Sequence, residues 1–311
     1  MKKKNLNSLL AGMVLLSTLV GACKQAINSE LQPMSSKNKA GVQNLVASAY
    51  DLNVVYFVPS DADTITNYRA RLNGILQQGQ RFYGKWMSYY GYGDRSFGLL
   101  LDSSGKVNIT VVKGALTKSG YPYEGGGNTA IGELNAWFTA HPADKHSEHT
   151  LVIMPASTYA ADGDPGGVPF YGLGRWCFAL DYAEMDTSYL GQNTTLGNRA
   201  TKWIGGLMHE LGHGLNLPHN KEKVSEAADV TKGTALMGSG NYTYGKNPTF
   251  LTAASAAILN NCQVFRSTTG SGFYGGGNTT INTIKANYTG GNIVLNVKFV
   301  ATQRKRKLFF I

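Results

Sequence analysis

The sequence predicts an α+β fold, and three observations carry that prediction. Runs rich in β-branched and aromatic residues at 52–58, 107–112 and 150–154 have the length and composition of buried strands. Two longer stretches, 65–86 and 200–215, place apolar residues at near-helical spacing. From Ser267 onward the texture changes to Gly, Thr and Asn with two more strand-like runs and no helical pattern. A main domain over residues 51–265 is therefore separated from a β-rich segment over 266–311.

At 311 residues the chain can hold one good-sized domain and a smaller one. Its net charge of +10 raises the question of a nucleic-acid partner. Lys2, Lys3 and Lys4 carry three of those charges and Arg304, Lys305, Arg306 and Lys307 four more, which leaves +3 for everything between. No basic stripe remains for a nucleic acid to follow.

Residues 1–22 read as an export signal. The three lysines precede an apolar run, 9–20, that is too short to span a bilayer. Val20-Gly21-Ala22-Cys23 resembles a bacterial lipobox, which implies that Cys23 is diacylated and becomes the mature N-terminus. Ordinary secretory cleavage after Ala22 is the alternative. Either way the protein leaves the cytoplasm, for the cell envelope as a lipid-anchored protein or for the medium. Residues 23–50 are polar and read as a flexible tether.

The first strand, 52–58, is stopped by Pro59. Asp61 or Asp63 is placed to cap a helix that runs to about Tyr90, with Ile65, Leu72, Ile75, Leu76, Phe82 and Trp86 along it. Residues 97–101 and 107–112 flank Ser103-Ser104-Gly105 and predict a hairpin. A Gly-rich loop at 124–128 precedes a short helix through Trp137. No strand feeds that loop and no Lys follows it, so it is not a phosphate cradle. A strand is expected at 150–154 and another within 171–182. The next helix is expected to begin near Asn198 as N-cap, with Ala200, Trp203, Ile204, Leu207, Leu211 and Leu215 as its apolar face. Gly205, Gly206, Gly212 and Gly214 weaken that helix by propensity and are expected to admit a close neighbour. A last helix is read at 249–261. Beyond it, 279–287 and 292–300 form one hairpin around Thr289-Gly290-Gly291, an incomplete part of a β-sandwich-like module. The terminal run from Arg304 fits neither strand and reads as the truncated or frameshifted end of a longer protein.

The chemistry is concentrated in His209-Glu210-Leu211-Gly212-His213-Gly214-Leu215-Asn216-Leu217-Pro218-His219. His209 and His213 stand at i and i+4, one turn apart on one helical face, where two imidazoles meet one ion. Imidazole is a good zinc ligand. Glu210 points elsewhere and can serve as general base toward a water at that ion. His219 is too far along for the same helix to present it, so the chain must turn back. Asn216 is placed for that turn because Asn tolerates the left-handed region. Three neutral histidines leave a fourth position open, the arrangement of a catalytic zinc site.

This stretch resembles the signature of the metzincin clan of zinc metallopeptidases, H-E-x-x-H-x-x-G-x-x-H with a downstream Met-turn. It departs from that signature at Asn216, where the clan usually has Gly. The resemblance covers roughly residues 50–262 and implies a zincin-type domain: a mixed, twisted sheet, an active-site helix and a small C-terminal subdomain. It makes Leu236-Met237-Gly238 the Met-turn, with Met237 beneath the three imidazoles. The clan's tyrosine two residues past that methionine is Ser239 here, which leaves Tyr242 and Tyr244 as candidates for stabilising the transition state. The clan's substrate-pairing edge strand is looked for within 171–182. Asp162 and Asp164, in the loop before it, resemble the calcium loops of matrixins, although a plain acidic turn uses the same residues. Cys177 and Cys262, the two thiols besides Cys23, are candidates for one disulfide in an oxidising compartment.

Together these readings predict a monomeric zinc-dependent endopeptidase, with one catalytic Zn2+ and a Ca2+ site left open. Its substrates are extracellular or surface proteins or glycoproteins, and it meets the membrane through its N-terminal lipid. A zinc amidase or deacylase acting on glycans or cell wall, and an inactive zinc-containing binding protein, are the other classes the same residues allow.

Overall fold

The computed structural model describes residues 45–275 and 278–301. The export signal, Cys23, most of the tether and the terminal basic run lie outside the described residues. Strand β1 (Asn53–Val58) is six consecutive buried residues. Such a run suits a strand covered on both faces. Helix α1 (Tyr68–Tyr89) buries Leu72, Ile75, Leu76, Tyr83, Trp86 and Met87. Neither Asp61 nor Asp63 caps it. Asp61 Oδ1 instead accepts the Lys118 N–H at 2.8 Å, and the helix starts after Asn67, which sits left-handed at φ 58°.

The predicted hairpin over 97–112 is also different. Asp102 Oδ1 accepts the N–H groups of Ser104 and Lys106 at 2.8 and 3.0 Å, and only a single antiparallel bridge, Leu101 with Val107, follows. Phe97, Leu99, Val107 and Ile109 are spent on the core. The chain then enters β2 (Thr110–Lys113), which pairs parallel with β1. Helix α2 (Gly126–Ala140) begins inside the Gly-rich loop and buries Ala130, Leu134 and Phe138 at i, i+4 and i+8. Strand β3 (Thr150–Pro155) is fully buried.

A small antiparallel pair, β4 (Thr158–Tyr159) and β5 (Pro165–Gly166), carries the turn with Asp162 and Asp164. Next come β6 (Gly172–Leu173), β7 (Trp176–Asp181) and α3 (Thr195–Gly214). Helix α3 starts before Asn198, because Thr194 accepts the Gly197 N–H at 3.0 Å as the N-cap. A short α4 (Val224–Ala227) leads to β8 (Thr234–Ala235), which pairs parallel with β9 (Thr249–Phe250). That pairing takes the first residues of the helix expected at 249–261. Helix α5 is Ala253–Leu259, capped by Thr252, which accepts the Ser255 N–H at 3.2 Å.

The central sheet is mixed, in the order β2-β1-β3-β7-β6, with β6 antiparallel to β7 and the other pairs parallel. The single edge strand expected over 171–182 is therefore two strands. β7 is interior, and only the two-residue β6 forms the edge. Arg71 on α1 pairs with the buried Asp181 at 2.6 Å and also donates to Tyr182 O and Met185 O, which fastens the end of β7 to α1. Among the described residues, no helix is long and apolar enough to cross a membrane.

The last described elements, β10 (Thr279–Thr289) and β11 (Asn292–Ala301), form a hairpin whose Gly290 and Gly291 both have positive φ, as a two-residue turn of this hand requires. Packing of the main domain extends past both predicted bounds. Val46 N–H reaches Asp94 O at 2.7 Å and Ala49 N–H reaches Arg266 O at 2.7 Å. The Tyr50 hydroxyl donates to Gly270 O at 2.5 Å. The Cys177 and Cys262 thiols are both free and buried. Each has its own partners: Thr150 O 3.6 Å from Cys177 Sγ, and His149 Nε2 3.5 Å from Cys262 Sγ. The disulfide considered from sequence is not formed.

Candidate functional site

Helix α3 presents His209 and His213 one turn apart, and its end delivers His219. The end follows a Schellman pattern: Leu217 N–H donates to Gly212 O at 2.9 Å and Asn216 N–H to His213 O at 2.8 Å, with Asn216 at φ 70°. This reversal turns the chain back through Pro218, so His219 faces the two helical histidines. His209 Nε2 and His213 Nε2 each lie 3.1 Å from His219 Nε2.

Protons decide what these nitrogens do. His209 Nδ1 lies 2.7 Å from Leu236 O and His213 Nδ1 lies 2.8 Å from Leu217 O. A carbonyl can only accept, so both Nδ1 atoms carry the proton and both Nε2 atoms are left as lone pairs. His219 can offer at most one Nε2 proton between them. The trio is therefore richer in acceptors than in donors, a set of nitrogens that a shared cation would satisfy. Burial, opposed by those carbonyl partners, holds the His209 and His213 imidazoles below their usual range and hence neutral. Zinc with ligand bonds of about 2.1 Å in tetrahedral geometry would set its nitrogens about 3.4 Å apart, close to the spacing seen. The donor set suits zinc, and the carbonyl behind each of the two helical rings is the support that metal-binding histidines use. Among the described residues, no other group of three or more His, Cys, Asp or Glu side chains is placed to share an ion.

Glu210 lies beside the trio in a cleft of about 940 Å³, which Tyr123, Phe170, Tyr171, His213, His219 and Ile258 also line. Burial pushes its carboxyl up to about 7, while a Gly172 N–H bonded to it works the other way. That bond comes from the sheet edge, so β6 both orients Glu210 and forms the rim.

Met237 is fully buried, and a Cβ added to Gly212, between His209 and His213 on α3, would collide with its sulfur. The glycine at 212 is what lets the turn at 236–238 approach α3. Leu236 in that turn supplies the carbonyl for His209, and the Asn220 N–H donates back to Met237 O at 3.1 Å.

Other sequence candidates are placed elsewhere. Tyr242 is 68% exposed in a 3-10 turn, and Tyr244 is buried with its ring against Phe82. Neither lines the cleft. Asp164 gives its carboxylate to Lys202 and to Trp203 Nε1, and Asp162 Oδ1 accepts the Asp164 N–H at 3.0 Å. These two carboxylates serve cations and a turn of the protein itself, which is a structural reason for the acidic loop. Tyr123, Tyr171 and Gly172 went unrecognised as site residues. Tyr171 falls in the stretch expected to form an edge strand, but no local pattern marks Tyr123, which the fold brings edge-on to Tyr171 at 5.7 Å between ring centres.

Solved structures with this fold exist. Wild-type OgpA from Akkermansia muciniphila superposes with a TM-score of 0.78 at 48% identity, over 82% of this chain and 73% of that one. Catalytically inactive OgpA in complex with an O-glycopeptide (glycodrosocin) substrate superposes with a TM-score of 0.79 at 47% identity, over 82% and 72%. No protein-family profile matches the chain, and no curated protein does.

Proposed function

This chain belongs to the same family as OgpA of Akkermansia muciniphila, and on that premise we propose that it is a zinc-dependent endopeptidase acting on O-glycosylated proteins. The observation that carries the reading is the convergence of three imidazole Nε2 atoms beside a half-buried glutamate in an open cleft. The metzincin-like motif supports the same chemistry, and the O-glycopeptide substrate of OgpA supports the substrate class.

His209, His213 and His219 would hold the ion as neutral ligands. Zinc bound there supplies Lewis acidity, which brings a coordinated water toward a pKa of about 7 and polarises a carbonyl. Glu210 takes the proton of the attacking water as its oxygen bonds to the scissile carbon. Glu210 then passes that proton to the leaving nitrogen as the C–N bond breaks. The Gly172 N–H keeps the carboxylate aimed during both transfers. The backbone of β6 offers an extended peptide a strand to pair with. Cys23 would anchor the protein in the cell envelope, a reading that rests on the lipobox-like sequence alone.

The test incubates the full-length protein with an O-glycopeptide and with the same peptide stripped of glycan, read by mass spectrometry. Chelator-sensitive cuts in the glycosylated form are expected. Glu210→Ala should keep its zinc and lose about 10³-fold or more in turnover, the scale of general acid–base catalysis. Undiminished cutting by Glu210→Ala would overturn the mechanism. Equal cutting of both peptides would overturn the substrate class. Loss of an acyl group from the glycan with the peptide intact would favour the amidase reading.

A further inference from the structure

A second set of polar groups stands at the end of α3, next to the turn that carries the chain to His219. His149, just before β3, is fully buried, and its Nδ1 lies 2.7 Å from Gly214 O. Gly214 is the last helical residue, one past His213, and its carbonyl is among those a helix end leaves unpaired. With Nδ1 committed as donor, His149 Nε2 must accept, and the Tyr274 hydroxyl is 2.5 Å from it. That hydroxyl accepts the Gln263 N–H at 2.9 Å, and the Asn216 side chain stands beside it. The Arg175 guanidinium, in the turn between β6 and β7, stands 4.5 Å over the Tyr274 ring.

One tyrosine from the segment after the main domain thus touches three supports of the site. It meets the left-handed residue of the Schellman turn, the histidine that holds the last carbonyl of α3, and the turn behind the cleft rim. Residues 214–218 carry the chain from His213 to His219, and metal geometry tolerates only about 0.2 Å of error. A slack turn there would move His219 against its two partners.

We propose that Tyr274 is a positioning residue for the metal centre, acting through His149 and Asn216 to fix the turn between the second and third histidines. Residues 266–275 then belong to the site's scaffold and are not a linker. This rests on the reading of the trio as a metal centre, and the test separates the two.

The zinc-loaded full-length protein is mixed with excess chelator carrying a colorimetric indicator, and the release rate is read for wild type, Tyr274→Phe and Tyr50→Phe. Tyr50→Phe is the control, because its hydroxyl holds the same segment at Gly270 without reaching α3. Tyr274→Phe is expected to release zinc about tenfold faster, in line with losses on removing outer supports of metal ligands. Tyr50→Phe should match wild type. The cobalt-substituted protein should show a shifted visible spectrum for Tyr274→Phe only. In a His149→Gln background the Tyr274→Phe effect should shrink, since the two act in series.

Equal release rates for wild type and Tyr274→Phe, with only the melting temperature lowered, would overturn the proposal and leave Tyr274 a packing residue. An equal effect of Tyr50→Phe would overturn it too, by showing general loosening. A wild-type protein that takes up no zinc would overturn the metal reading and this inference with it.

Discussion

Replacing His149 by Gln should flatten the acid side of the stability curve. Burial is the main cause that pushes the His149 imidazole down to about 4 from its ordinary 6.5. The Arg175 charge acts in the same sense, and the Gly214 carbonyl and Glu148 oppose it. Between those two values the unfolded chain holds a proton that the folded chain refuses, so stability rises with pH in that window. The stability is complete above 6.5 and is lost as the pH falls toward 4. At about 1.4 kcal/mol for each pH unit, the fall from 6.5 to about 4 amounts to about 3 kcal/mol. Against a total stability of about 5–15 kcal/mol this is a large fraction. Gln keeps an N–H donor for Gly214 O and does not titrate. The assay is urea denaturation of metal-free wild type and His149→Gln, from about pH 7 to about pH 4. The two curves should converge by about 3 kcal/mol over that range as wild type loses its advantage. His209 and His213 titrate in both proteins, so their share cancels in the difference. Parallel curves would refute the reasoning, because they would mean that His149 binds its proton equally well folded and unfolded.

Two further outcomes follow from the turn and from the contact of Gly212 with Met237. Asn216→Gly should cost far less than Asn216→Val, because a β-branched residue in the left-handed region adds about 1–2 kcal/mol of strain. Thermal melting of the three proteins checks this, and equal losses for Gly and Val would exclude the left-handed turn as the cause. Gly212→Ala should destabilise by about 1–3 kcal/mol as the new methyl is forced onto the Met237 sulfur. In a double-mutant cycle by chemical denaturation, Gly212→Ala should cost much less in a Met237→Ala background than in wild type, and additive losses would mean the two positions do not touch.

The legible parts of this protein were those whose geometry is local. The spacing of His209, Glu210 and His213 is a property of one helix, and Asn216 had to reverse the chain because His219 lies too far along for that helix to present it. The buried strands at 53–58 and 150–155 were visible as continuous apolar runs, which parallel strands covered on both faces require. Cap positions were less legible. Asp61 has a plausible capping side chain but accepts the Lys118 N–H instead, and for α3 the cap is Thr194 where Asn198 was expected.

What the sequence by itself determined, then, is the ligand-ready stretch 209–219 and the strands and helices that could surround it. Only the tertiary structure decided which strand became the edge, that Gly172 donates to Glu210, that Tyr123 meets Tyr171, and that Tyr274 reaches His149 across 125 residues. The reason is physical. A helix repeats its own spacing every few residues, whereas strand pairing and buried hydrogen bonds join groups far apart in the chain. Their partners are chosen by whichever packing leaves the fewest polar atoms unpaired.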